Sequence, residues 1–292
     1  MTYRLSILLL WVLFLIPIAA YSQPHSFPQN GIKCAYHFTR KDDPDRAPRK
    51  YLNMRLDYID GASIYYDLFT YERDSLWTLA FDENGKTKNR QEYEKIQSLP
   101  RPRLDDITIV NFKRVEVTQL YHQGPISIRS ASEMSVPDWK LVDESRTIEG
   151  FSCRKATADY LGRNWTVWYT EDIPLPVGPW MLLGAPGLIV SAQDSEAIFS
   201  FRLIWADELD NNGRIALIDS RYPKKTTRRK SGTSHFVLSM KDAEQMCFRL
   251  RSDAAYLLEI TGARASANQL DMMQNKMRKY IPLIPDAYWK DK

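Results

Sequence analysis

The chain has 292 residues, 44% hydrophobic and 12% aromatic, with a formal net charge of +4. That is ample for a packed core and too apolar for disorder driven by low hydrophobicity. The near balance of charge gives no general argument for nucleic acid or an anionic membrane as partner.

The N-terminus reads as a cleavable secretory signal. Arg4 supplies positive charge, and residues 5–20 form an apolar run interrupted by Ser6 and Pro17. Ala20-Tyr21-Ser22 then sets small residues where a signal peptidase needs them for a cut before Gln23. The run is shorter than the roughly 20 residues of a spanning helix. Cys34 lies too far downstream for lipid attachment. The expectation is a signal peptide over 1–22 and one β-rich domain over 23–292, periplasmic or secreted, with no later transmembrane segment. A domain split near Asp143 is the alternative.

Strands begin near Ile32, and a charged loop with two prolines covers 40–50. Residues 51–59 alternate apolar and polar, Asp60-Gly61 follows, and 62–71 are rich in aromatics. Asp-Gly between two such runs predicts a type I′ hairpin, since both residues tolerate positive φ. Residues 75–81 read as another strand, turning at Asp82-Glu83-Asn84-Gly85. A short helix is expected over 90–99, stopped by Pro100. Further strands are expected within 107–121 and near 139–141, 153–160, 164–169, 188–192, 198–205 and 215–220.

Helix enters late. Ser239-Met240-Lys241-Asp242 has the form of a capping box. Met246, Leu250, Leu257 and Leu258 give helical spacing over 243–259, ending at Thr261-Gly262, and a second helix is expected over 265–278. Ile281-Pro282-Leu283-Ile284-Pro285 is an extended tail that docks on the sheet in this reading. The fold class predicted is mainly β: an antiparallel sheet as half-barrel or sandwich, with one or two C-terminal helices.

Residues 148–194 are the most distinctive. Gly162 turns a hairpin into Trp165-Thr166-Val167-Trp168-Tyr169-Thr170. Alternation sends Trp165, Val167 and Tyr169 to one face and Trp168 to the other. Gly178-Pro179-Trp180 and Gly184-Ala185-Pro186-Gly187-Leu188-Ile189 break regular structure twice, because Pro lacks an N–H and Gly opens positive φ. The intervening loop either plugs one end of a β core or rims a ligand pocket. An aromatic-lined concave face would draw on Trp165 or Trp168, with Tyr169 and Trp180.

At these residues the chain resembles the GLPGLI family of exported Bacteroidetes proteins. The resemblance rests on Gly150-Phe151-x-Cys153-x-Lys155-Ala156, Trp168-Tyr169-Thr170-x-x-Ile173-Pro174, Gly178-Pro179-Trp180, and Gly184-Ala185-Pro186-Gly187-Leu188-Ile189. Ala185 departs from the family's usual Leu and leaves a pocket or a repacked neighbour. The resemblance implies a periplasmic or secreted protein working near TonB-dependent outer-membrane receptors, and it implies no catalytic residue. In layout the chain is also similar to periplasmic half-barrel lipoprotein carriers.

Chemical motifs are sparse. The spacing of Cys34, Cys153 and Cys247 fits no zinc site. His25, His37, His122 and His235 form no metal or hydrolase motif, and no phosphate-binding glycine pattern is present. No cofactor or metal is expected. The carboxylate pairs Asp105-Asp106, Glu171-Asp172 and Asp207-Glu208, with Asp210 nearby, read as solvated loops. The basic run over 224–230 reads as a solvated loop or a contact for an acidic partner, not a nucleic-acid groove. The leading reading is a binding or accessory protein. The alternatives are a hydrolase using Cys153 with a distant histidine, and a subunit of a receptor complex.

Overall fold

The computed structural model describes residues 31–41, 46–82, 86–104, 106–123, 126–209, 226, 234–277 and 281–290. The signal segment, His25, Asp105, Asp210, the turn residues 83–85, the strand expected over 215–220 and the basic run apart from Thr226 lie outside them.

Among the described residues twelve strands form one sheet: β1 (Ile32–Arg40), β2 (Arg49–Ile59), β3 (Ala62–Asp67), β4 (Ile107–Asn111), β5 (Glu116–Gln123), β6 (Ile126–Glu133), β7 (Lys140–Ile148), β8 (Phe151–Tyr160), β9 (Arg163–Thr170), β10 (Leu188–Asp194), β11 (Phe199–Glu208) and β12 (Ser234–Leu238). Their order is β12-β6-β5-β4-β3-β2-β1-β11-β10-β9-β8-β7. All neighbours are antiparallel except β12 and β6. Asp143 lies within β7. Asp60 and Gly61 both have positive φ, as the type I′ hairpin between β2 and β3 requires.

Chain length forces this open sheet to curl. Ten strand-to-strand steps separate β6 from β7, roughly 48 Å across a flat sheet. The residues that join them, 134–139, reach at most roughly 25 Å. The concave side this creates holds the main core, with Tyr36, Phe38, Met54, Trp165, Val167, Tyr169, Phe199 and Phe201 buried in it.

Two helices, α1 (Leu68–Ala80) and α2 (Arg90–Ser98), follow β3. The sequence predicted strand for 75–81, and the structure places it in α1. The cause is Asp67, whose carboxylate accepts from Phe69 N at 3.0 Å and from Arg103 N at 3.2 Å. This cap starts the helix where composition favours strand. The late helices are α3 (Met240–Ser252), α4 (Ala254–Thr261) and α5 (Ala267–Lys276). Ser239 caps α3, accepting from Asp242 N at 3.1 Å. Asp253 ends α3 and caps α4 through Tyr256 N, so the helix predicted over 243–259 is two. Helix α3 lays Ala243, Met246, Cys247 and Leu250 on Tyr121, Ile126, Ile128 and Phe236. Among the described residues no helix is long and apolar enough to cross a membrane.

Candidate functional site

The concave face is filled from two sides. On one side, the loop over 171–187 seats Leu175, Val177, Met181, Leu182 and Leu183 in the core. Backbone bonds fix its shape: Leu188 N donates to Ile173 O at 3.0 Å, Gly184 N to Pro176 O at 2.9 Å, and Ile189 N to Val177 O at 3.0 Å. Trp139 Nε1 donates to Leu183 O at 2.8 Å, and Tyr36 Oη to Ile189 O at 2.6 Å. Gly187 has no room for a side chain, since a Cβ there would sit 1.9 Å from Thr170 O. Gly178 and Gly184 are similarly crowded, and Ala185 is buried. On the other side stands α3.

Between plug and helix lies a small pocket with an open mouth. Phe38, Tyr65, Trp180 and Phe201 supply aromatic walls, and Leu104 and Leu283 add apolar surface. Arg40, Asp106, Thr108, Gln119, Tyr121 and Glu244 supply its polar groups. Ala185 is not among the lining residues, so the small side chain at that position does not form this pocket.

Trp180 is 5% exposed and holds φ +56°, a left-handed conformation rare for a bulky residue. The turn between Pro179 and the buried Met181 imposes it. Its ring centroid lies 6.0 Å from that of Trp165, which lies 6.2 Å from that of Phe201. Of the predicted aromatics, then, Trp180 lines the pocket and Trp165 backs it. Tyr169 is fully buried in the same core, away from the pocket lining. Trp168 faces outward, as alternation predicted, under the Arg146 guanidinium at 3.8 Å.

Tyr65 is 4% exposed, lines the pocket, and its hydroxyl has no hydrogen-bond partner in the protein. Burial raises its pKa well above that of free tyrosine, so it remains a donor. Tyr121 Oη lies 2.5 Å from Gln119 Oε1 and 2.6 Å from Glu244 Oε1, and Gln119 Nε2 lies 3.2 Å from Met181 Sδ. Burial is the largest cause that pushes Glu244 up to about 7. Asp106 is gripped by both terminal nitrogens of Arg251, so it is an ion-paired residue and not the solvated loop carboxylate the sequence suggested. No local signal marks Tyr65, Gln119, Tyr121 or Glu244, since they come from strands and a helix far apart in the chain. Only the inward phase of β5 could have paired Gln119 with Tyr121.

The tail closes the base of the pocket. Arg163, buried against Asp194 at 3.0 Å, donates to Leu283 O at 2.8 Å and Pro282 O at 2.9 Å. Arg40 donates to Ile281 O.

All three cysteines are buried and free. Cys153 donates to Phe151 O at 3.4 Å, and burial pushes its thiol up to about 11. Outside the pocket, His122, Ser127 and His235 lie in register across β5, β6 and β12, with Ser127 Oγ bonded to His235 Nδ1. Burial, then His235, pulls His122 down to about 4. Among the described residues no group of three or more His, Cys, Asp or Glu is placed to hold a metal ion.

No family model matches the chain, and no curated protein matches it. Two solved structures of PNGF-II, in different crystal forms, are similar to it. Each is 12% identical with a TM-score of 0.46, over 76% of this chain and 34% or 33% of its own. The chain thus spans about a third of the length of those structures. The functional reading rests on the pocket's own residues.

Proposed function

We propose that this chain is a binding protein whose concave-face pocket holds a small ring-bearing ligand. The observation that carries the reading is Tyr65, a residue of the pocket lining whose buried hydroxyl has no hydrogen-bond partner in the protein. An unsatisfied buried hydroxyl costs about 1–3 kcal/mol, and a ligand acceptor group removes that cost. The aromatic walls offer faces for a planar or apolar ring. The proposal includes export through the segment 1–22, membership of the GLPGLI type, and an outer-membrane receptor as the partner that receives the loaded protein. Cys153, buried and protonated at neutral pH, supports binding over nucleophilic chemistry at that residue.

Isothermal titration with naphthamide, an uncharged ring with an acceptor group, tests the reading. Tyr65→Phe and Trp180→Ala should each weaken binding about tenfold, and Trp168→Ala should leave it unchanged. Equal loss in Trp168→Ala, or no loss in the first two, would refute it.

A further inference from the structure

The sheet ends in a strand with an open edge. β7 closes the strand order and, among the described residues, pairs only with β8. Seven of its nine residues are exposed, so β7 is uncovered along most of its length. Such an edge is a template for another strand, and charged side chains normally guard it. The charges on β7 are placed so that they can also choose a partner.

Trp168 marks the outer face of the sheet. Arg146 lies over its ring at 3.8 Å, and Lys155 lies 5.9 Å from the same ring and bonds Glu144 at 2.9 Å. Val142 is directly opposite Lys155 and shares that face. Alternation adds Ile148. The outer face of β7 therefore carries Val142, Glu144, Arg146 and Ile148, and Asp143, Ser145 and Thr147 take the concave side. The bulge at Asp143 and Glu144 leaves β7 paired with β8 on both sides of it.

Two copies of one strand pair antiparallel about a two-fold axis, with one residue facing its own copy. An axis at Asp143, Glu144 or Arg146 sets a charge against itself, and like charges directly opposite are destabilising. An axis at Ser145 sets Glu144 against Arg146 and Val142 against Ile148, each twice, and Asp143 against Thr147. A slip of one position either way brings the repulsion back. Axes nearer the ends of β7 pair five of its residues or fewer, against the seven from Val142 to Ile148.

We propose that the occupant of this edge is a second copy of the chain, joined as a two-fold dimer through β7 with the two Ser145 residues on the axis. The charges that repel a foreign strand select this register. The dimer does not rest on the binding reading, since no residue of β7 lines the pocket.

Sedimentation of the protein between about 1 and about 200 µM should show a monomer–dimer equilibrium, because a single strand pair is a small interface of the weak class. Glu144→Arg sets arginine against arginine and should weaken the dimer about tenfold or more. Glu144→Arg combined with Arg146→Glu exchanges the charges and should bring association back to within about threefold of the original. Opposite Cα atoms in an antiparallel pair lie about 4.5–5.5 Å apart, within reach of a disulfide. Ser145→Cys should therefore give a cross-linked dimer under mild oxidation, whereas Thr147→Cys, opposite the partner's Asp143, should not. The three native cysteines are buried and do not compete. A monomer at every concentration, association indifferent to Glu144→Arg, no recovery in the exchanged variant, growth beyond a dimer, or Thr147→Cys linking as readily as Ser145→Cys would overturn the proposal. None of these outcomes would alter naphthamide binding, which tests the pocket separately.

Discussion

Trp180 is held in a conformation that its side chain disfavours, and the surrounding loop supplies the restraint. Left-handed backbone costs an L-residue about 1–2 kcal/mol, and glycine is free of that cost. Trp180→Ala keeps the strain and Trp180→Gly removes it. Chemical denaturation should therefore find the glycine variant about 1 kcal/mol more stable than the alanine variant. Gly187 works the other way. A methyl there meets the Thr170 carbonyl, which is backbone and cannot step aside. Gly187→Ala should cost about 3 kcal/mol or more, read from the same denaturation curves. The Gly and Pro residues singled out in the sequence thus shape the plug and set the backbone of Trp180.

The tail and the plug are the elements that turn a curled sheet into a container. Arg163 joins the tail carbonyls to buried Asp194 on β10, which also accepts from Phe199 N at 2.8 Å. Arg163→Met strands a buried carboxylate and should cost about 3–5 kcal/mol. Amide hydrogen exchange should quicken over 281–285, and Asp194→Asn should recover part of the loss in a double-mutant cycle. Strand alternation and the Asp60-Gly61 turn made the hairpins legible in the sequence, because both signals are local. The phase of 165–169 likewise separated Trp168 from Trp165. Helix α1 was hidden because its start depends on a cap that also binds Arg103 N, a contact 36 residues away. The polar end of the pocket was hidden for a related reason: Tyr65, Tyr121 and Glu244 become neighbours only when β3, β5 and α3 pack across the concave face.

At the scale of the whole molecule, two buried groups pull the pH dependence of stability in opposite directions. Glu244 is raised from 4.5 to about 7, so the folded chain holds its proton more tightly than the unfolded chain. Stability from this group is full below about pH 4.5 and is lost as pH rises toward about 7, by up to about 3 kcal/mol. His122 is lowered from 6.5 to about 4, so the unfolded chain binds the proton more tightly. Its contribution is full above about pH 6.5 and is lost as pH falls toward about 4. The two windows overlap and offset each other. Urea midpoints between about pH 4 and about pH 8 should therefore show Glu244→Gln gaining on the original chain up to about pH 7 and holding level above it. A difference that does not change with pH would contradict a buried, proton-binding Glu244.

The most direct test of the binding account is to follow the indole N–H resonances of a nitrogen-15-labelled chain as naphthamide is added. The account predicts that the Trp180 signal shifts saturably while the Trp168 signal, on the outer face under Arg146, stays where it is. A shift confined to Trp168, or no shift at Trp180 at ligand concentrations where calorimetry reports binding, would contradict it.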